Sequence, residues 1–526
     1  MDTFTAEERA ALAPYFTNLD GPVFALVNLP EVVKGALFAR YSRSAKSLRR
    51  LFLDEFAELS AGAAPAGAVG TARAEKLYER VFSDYGDDSV AQLGGVHLAC
   101  EGASNLLTKV LEWGRLMAYL EQSTRYIPYT DRPDGRWRYH VPAELEGHPL
   151  CRRYVDTLDR AFETYARWIE PMREHWGARL SKPGGDSDAA WRATIRAKAL
   201  DSVRGLLPAA TRSSVGIFGT GQGYEALLLR MRTHPLAEVR DYALLMLVEL
   251  RKVIPAFLTR LDRPERGGAW SRYLESARHQ TADVAGRLLA GLEPESRGEV
   301  TLTDFDPEGE IKVVAAALYA SSRLPDDQLL AVARKLGPEE RREVLDAYVG
   351  PRANRRHKPG RAFERTAYRF DVLGDYGAFR DLQRHRLLTL EWQPLSTRHG
   401  WVSSEEIEAV GALSDWRRVM DDSALLYEEL VAASLPEVAP YAVAMAYRVR
   451  FYMELNAREA MHMIELRTTP QGHPAYRRIC QAMHRLIALQ AGHHAIAAAM
   501  SFTDPTDSEE GRLASERATE RRRAGS

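Results

Sequence analysis

The stretch "GIFGTGQGYEALLLRMR", residues 216–232, decides between two folds. Glycines at 219, 221 and 223 ahead of an apolar run imitate the turn that seats a dinucleotide pyrophosphate on a helix N-terminus. That fingerprint needs Gly or Ala at position 224, where Tyr224 stands. It also needs a buried parallel strand before it and an acidic strand end about 20 residues later. Here "RSSVGIF" is short and polar at its start, and the region around Glu238 has helical periodicity. The run reads as a helix start. Its glycines leave two readings open: a start that has lost a binding role, or a turn that never had one.

Working outward, the same stretch belongs to an internal repeat. "LRMRTHP" around Arg232 is echoed by "IELRTTP" around Arg467, 235 residues on, and "EQSTRYIPY" by "PLSTRHGW", with Ser123 and Ser396 separated by 273. The order of the two elements is the same in each half, so a duplication is expected. Laying Arg232 on Arg467 sets Gly219-Thr220-Gly221-Gln222-Gly223 opposite Glu454-Leu455-Asn456-Ala457-Arg458. Glycines then stand where the other half carries polar side chains.

A chain of 526 residues exceeds one ordinary domain. With 45% hydrophobic and 27% charged residues it can bury large cores, and a net charge of -1 provides no global basic field for nucleic acid. Cys100, Cys151 and Cys480 are far apart and odd in number, which disfavours a disulfide framework and fits a reducing cytoplasm. The start, "MDTFTAEERAALAPYF", is acidic where a signal peptide is basic, and no apolar run of about 18 residues occurs, so a cytoplasmic protein without membrane association is expected.

Helical periodicity dominates, as in "LRRLFLDEFAEL" and "VRDYALLMLVELRKVIPAFLTRL". The best strand is "RTAYRFDVLG", residues 365–374, where Tyr368, Phe370 and Val372 alternate with Ala367, Arg369 and Asp371. "AGAAPAGAVG", residues 61–70, reads as a small-residue loop. The acidic, turn-rich "LEPESRGEVTLTDFDPEGE", residues 292–310, reads as the main boundary, and the polar tail from 503 as mobile. The expected fold class is helix-rich α+β, with tandem domains 1–295 and 296–502, each a small sheet with long helices, and a tail 503–526.

"FRDLQRHRLLTLEWQPLSTRHGW", residues 379–401, concentrates Arg380, Arg384, His385, Arg386, Thr389, Ser396 and Arg398. Guanidinium groups present planar donors to phosphate or carboxylate oxygens, and hydroxyls add short directed bonds. The cluster suits a nucleotide; a solvated basic face is the competing reading. Adjacent His493 and His494 diverge by about 100° on a helix, a poor pair for joint metal binding, and no metal site is expected.

Arg384-His385-Arg386, Thr389, Ser396 and Arg398 resemble the flavin-dependent thymidylate synthase signature RHRxxSxNExSxR. "LNAREAMHMIELRTTPQGHPAYR", residues 455–477, is similar to that family's C-terminal motif, and "WGRLMAYLEQSTRY" keeps Arg115, Glu121, Ser123, Arg125 and Tyr126 of the signature. The likeness covers about residues 85–240 and 360–495. Each half departs from the pattern. The first has Trp113-Gly114 for Arg-His, Ala118 for Ser and Leu120 for Asn; the second has Glu391-Trp392 for Asn-Glu and Gln393-Pro394 before Leu395.

The resemblance implies reductive methylation of dUMP to dTMP with FAD as cofactor, and with methylenetetrahydrofolate and NADPH as cosubstrates. It implies Arg467 as the catalytic group that activates the uracil ring, with Arg232 its counterpart. Glu121, Gln122, Ser123, Thr124, Arg125 and Arg384 correspond to substrate contacts. Arg384, His385, Arg386, Asn456, Arg458 and His462 correspond to flavin contacts, His462 standing where the family usually has Asn. "HKPGRAFE", residues 357–364, reads as flavin edge or basic loop. What one half lacks the other keeps, so one composite site is expected, beside a decayed one. A homodimer would imitate the family's tetramer. Other readings are a nucleotide- or flavin-binding homologue without synthase activity and a helical scaffold. For Arg467, pairing with Glu459 or Glu465 on its own helix is the structural alternative.

Overall fold

The computed structural model describes residues 3–21, 24–41, 44, 46–56, 92–180, 182 and 187–506. The loop at 61–70 and the tail beyond 506 lie outside them. Contacts divide the chain into two compact units: Met1–Ala103 with Val110–Glu121 and Ser213–Leu292, and Ser104–Lys109 with Gln122–Arg212 and Glu293–Ser526. Each unit holds one small sheet.

In the first unit β1 (Gly95–Ser104), β2 (Met117–Glu121) and β3 (Arg212–Thr220) stand in the order β1-β3-β2, with β2 antiparallel to β3. The second unit has β4 (Val300–Phe305), β5 (Ala367–Asp375), β6 (Leu388–Trp392) and β7 (Arg448–Asn456) in the antiparallel order β4-β5-β7-β6. Remove the edge strand β4 and the two sheets have one topology. A seven-residue helix follows both β1 (Asn105–Leu111) and β5 (Tyr376–Leu382), and a longer one follows both β3 (Gly221–Arg232) and β7 (Ala457–Arg467). The repeat legible around the two arginines is therefore a repeat of architecture, and the fold is helix-rich α+β with tandem related domains.

Strand β5 runs where alternation placed it. Tyr368, Phe370 and Val372 are fully buried, and Val449, Phe451, Met453 and Leu455 of β7 alternate inward beside them. Each such side chain contributes roughly 1.5–3 kcal/mol on leaving water. Ile479 and Met483 of the helix Pro474–Leu489 are buried as well, on a helix that packs against β4 and β5. Three local expectations need correction. Residues 292–310 contain a strand, β4: its acids sit on a sheet edge open to water, which hides the strand in a turn-like composition. The helical run from 239 breaks after the helix Ala237–Arg251, because Pro255 cannot continue it and opens the 3-10 helix Pro255–Asp262.

The third correction concerns the glycine run. Thr220 caps the helix Gly221–Arg232 by accepting the Gly223 N–H at 3.1 Å, and Asn456 caps the helix Ala457–Arg467 by accepting the Glu459 N–H at 2.9 Å. The helix starts therefore align Thr220 with Asn456, one residue from the alignment set by the arginines, because the first helix is one residue longer. The glycines also have a packing reason. A Cβ on Gly219 would stand 2.4 Å from the end of Met117, and one on Gly221 2.9 Å from the Phe257 ring. Among the described residues no helix is long and apolar enough to cross a membrane.

Gly221→Ala is expected to lower stability by about 1–3 kcal/mol through overpacking against Phe257, measured by urea unfolding, while leaving nucleotide affinity unchanged. An equal loss of affinity would return the run to the phosphate-loop reading.

Candidate functional site

The helix Ala457–Arg467 leaves β7 with Asn456 as its cap, and its last residue is Arg467. Arg467 Nε donates to His385 Nε2 at 3.1 Å, Nη2 donates to the Asp381 carbonyl, and Nη1 stands 3.7 Å from the Asp381 carboxylate. Its expected alternatives on the helix are otherwise engaged. Glu465 forms a buried bidentate pair with Arg352, both contacts 2.6 Å, and Glu459 binds two histidines. Arg467 faces the chain of the helix Tyr376–Leu382 instead, because a terminal residue projects beyond its own helix.

Asp381 is the centre of a cationic group. Arg384 and Arg204 both lie 3.8 Å from it, and Arg125 acts on it as well. Burial alone would raise this carboxyl, but Arg467, Arg384, Arg204 and Arg125 reverse the effect and hold it at about 2. Arg125 forms a bidentate pair with Asp201, with Nε–Oδ1 and Nη2–Oδ2 both 2.8 Å, and donates to the Tyr476 hydroxyl at 3.0 Å and the Gln471 carbonyl at 3.1 Å. Arg125 and Arg467 flank one ring: their guanidinium carbons are 6.0 and 5.4 Å from the Tyr476 centroid. Residues 346 and 351 positions apart thus meet within one unit.

Partners fix the His385 tautomer. Arg467 can only donate, so His385 Nε2 is the acceptor and Nδ1 carries the proton given to Glu459 Oε1 at 3.0 Å. Burial, outweighing the pull of Glu459 and aided by Arg467, lowers the His385 pKa to about 4; the ring is neutral. Burial pushes Glu459 up, yet the hydrogen bonds from His385 and His462 hold it at about 2. His385, Glu459 and His462 present ligand atoms within 4.8 Å of one another, the donor types of a cation site. Arg467 opposes that use. A metal on Nδ1 would require a proton on Nε2, facing the Arg467 N–H, and would add charge beside a guanidinium. The geometry seats a proton there.

The remaining expected residues divide. Arg384 and His385 join the cluster, whereas Arg386 is exposed and Arg458 donates to the Pro359 carbonyl at 2.9 Å. Asn456 spends its side-chain oxygen on the cap. Ser123 accepts the Arg125 N–H at 3.3 Å and Thr124 is buried, so both shape the Arg125 turn; Gln122 begins that turn. Glu121 ends β2 in the first unit, opposite Val215. Arg232 is bound to the Leu261 carbonyl at 2.8 Å and to Asp262, and Trp113, where the second half has Arg384, carries Arg230 4.0 Å over its ring. In the first unit Arg232 and Arg230 are thus engaged with that unit's own residues.

Asp381, Asp201, Arg204, Glu459, His473 and Tyr476 were not singled out as site residues from sequence. Two had a local signal: Asp381 precedes Arg384 by three residues at the end of its helix, and Glu459 precedes His462 by three on one helix. Arg204 had none. It is nearly fully buried, and its Nη2 has no hydrogen-bond partner among the described residues. Together with Lys198, Asp201, His473 and Arg477 it lines a cavity of about 520 Å³, a volume suited to a small-molecule ligand.

A family model described as thymidylate synthase complementing protein matches residues 36–256 and 301–491, one match in each half. A UPF0159 protein of Chlamydia muridarum is 37% identical over 520 residues, covering 98% of both chains. One from Chlamydia pneumoniae is 38% identical over 491 residues, 92% of both chains, and one from Thermoplasma acidophilum 29% identical over 516, 92% of this chain and 97% of that one. Among solved structures, the UMP/dUMP methylase PolB of Streptomyces cacaoi bound with 5-Br dUMP is 19% identical, with TM-score 0.31, covering 39% of this chain and 97% of that chain.

The buried neutral histidine has a stability signature. Unfolded, His385 titrates near 6.5; folded, about 4, so below pH 6.5 the unfolded chain binds more protons. Its contribution is complete above pH 6.5 and is lost as pH falls toward 4, on the order of 3 kcal/mol. Urea unfolding across that window should show the fall, and His385→Gln should flatten part of it.

Proposed function

The chain belongs to the thymidylate synthase complementing protein family, and from that membership and the arginine cluster we propose that it is a flavin-dependent methylase of dUMP. The reaction is reductive methylation of dUMP to dTMP, with methylenetetrahydrofolate and NADPH as cosubstrates. One observation carries the proposal: Arg125 from one half and Arg467 from the other converge on Tyr476 and Asp381. In this reading residues 1–295 and 296–502 descend from two copies, one competent site is assembled from both, and a homodimer takes the place of a tetramer in the cytoplasm.

The roles follow from side-chain chemistry. Arg467 keeps its proton at any working pH, so it stabilises negative charge developing on the uracil ring rather than removing a proton. His385 and Asp381 hold its guanidinium in one plane. Arg125, Ser123 and Arg204 serve the phosphate, Arg204 being a lining residue of the adjoining cavity. Flavin, when bound, supplies the hydride chemistry. The chain's basic groups fit its diphosphate: burial, with Arg458 and Arg355, pushes the Lys358 ammonium down against the pull of Glu459, a strain that a polyanion relieves. Arg384, Arg386, Asn456 and Arg458 are the groups that would hold it. His462 would join these contacts, and His385, its side chain 3% exposed and both nitrogens taken, would support them from beneath.

A second reading has a specific observation in its favour. Asp201 saturates one edge of Arg125, and Asp381 occupies the centre of the cations. A homologue that binds nucleotide or flavin without synthase activity is compatible with that arrangement.

Purified protein should be yellow and should release tritium from 5-tritiated dUMP when flavin, NADPH and methylenetetrahydrofolate are supplied. Arg467→Ala should lower that release by about 10²–10³, the usual effect of removing one donor to developing charge. Flavin and dUMP binding without any release selects the second reading; neither ligand bound removes both.

A further inference from the structure

We propose that Tyr476 is a positioning residue of this site, the spacer that sets Arg125 and Arg467 at a fixed separation before a nucleotide arrives. The inference rests on the methylation reading and adds a role that neither the two arginines nor the family membership assigns.

Local structure carries the ring to its place. Arg467 ends the helix Ala457–Arg467, and Tyr476 stands in the first turn of the next, Pro474–Leu489. Pro474 opens that second helix with its fixed φ, and His473 caps it, Nδ1 accepting the Ala475 N–H at 3.2 Å. The connection between the helices is tight, the Gly472 N–H donating to the Thr469 carbonyl at 2.8 Å. A Cβ on Gly472 would stand 2.9 Å from Tyr476 Cε2, so glycine there lets the turn close against the ring. Tyr476 is buried.

Two cations reach this ring from separate anchors. Asp201, on the helix Asp188–Val203, holds Arg125, and Asp381, on the helix Tyr376–Leu382, faces Arg467. Tyr476 meets both arginines. Its hydroxyl accepts from Arg125 Nη1 at 3.0 Å, and the guanidinium carbons of Arg125 and Arg467 lie 6.0 and 5.4 Å from its ring centroid. An aromatic face attracts a guanidinium through its quadrupole, while the ring itself does not compress, so Tyr476 draws two like charges in and keeps them apart. The Gln471 carbonyl accepts from Arg125 Nη2 at 3.1 Å, which ties that arginine to the turn next to the ring. Hydroxyl and ring thus have separate tasks. The hydroxyl orients Arg125, the phosphate group's partner in the roles above; the ring supports Arg467, the partner of the uracil.

The test uses the full chain with its flavin and reads tritium release from 5-tritiated dUMP. Tyr476→Phe keeps the ring and loses the acceptor, so KM for dUMP should rise about threefold to tenfold, the effect of one hydrogen bond. Tyr476→Leu loses both, and its kcat should fall about fivefold to thirtyfold below that of Tyr476→Phe, the effect of one cation–aromatic contact. Tyr476→Met replaces it should the leucine variant not fold. A KM for Tyr476→Phe less than threefold above the parent, or a kcat for the aliphatic variant less than fivefold below that of Tyr476→Phe, overturns the proposal. If the parent releases no tritium, the methylation reading fails, and a crystal structure of the aliphatic variant decides alone. Guanidinium groups of Arg125 and Arg467 that have changed their separation by more than about 0.5 Å support the spacer; a separation kept within that margin overturns it.

Discussion

Four guanidinium groups gathered around one buried carboxylate is the constraint on which the site depends. Arg125, Arg204, Arg384 and Arg467 repel one another, and nothing in their own chemistry brings them together. Asp381 does. At a separation near 4 Å and an effective dielectric of about 20, each pairing gains on the order of 4 kcal/mol before desolvation is charged against it. The carboxylate lies about 3.7 to 3.8 Å from three of the four. Asp201 plays the same part for Arg125. The cations are therefore organised before any ligand arrives, which is what lets them act on charge developing in a reaction without a reorganisation cost.

Organisation of that kind divides labour between the halves. Arg467 and Arg232 end equivalent helices after equivalent strands, yet one meets a histidine and a carboxylate while the other meets the Leu261 carbonyl and Asp262. Once a guanidinium is committed to a backbone carbonyl its donors are spent. Position by position the first half has substituted packing for polarity: Trp113 supports Arg230 by its ring, and the glycines after β3 admit Met117 and Phe257 against the chain. A duplicated chain needs only one set of reactive groups. The other copy is then free to become framework, provided its helices keep their caps, as Thr220 does.

Legibility followed the range of the interaction. Strand β5 could be read because alternation is local, and the helix starts because Thr220 and Asn456 cap within three residues. Arg384, His385 and Arg467 are named through the resemblance, whose motifs are short and local in sequence. Strand β4 could not, since an edge strand tolerates acids and so mimics a turn. Asp201 and Arg204 could not either: Asp201 lies 76 positions from Arg125, Arg204 is more distant still from Asp381, and no local pattern marks them. Glu459 lies between these cases. It lies inside the quoted stretch 455–477, but its meaning depends on His385, 74 residues distant.

That dependence settles what His385 can do. A neutral imidazole has one donor and one acceptor. Here the acceptor takes Arg467 and the donor serves Glu459, so the ring transmits orientation between two ions without carrying charge itself. Protonating it would place a second cation against Arg467, which is why burial and the guanidinium act in the same direction on its pKa. Donation thus runs from Arg467 to His385 and from His385 to Glu459, and the same carboxylate faces His462 Nδ1 through its other oxygen, so the line converges on Glu459.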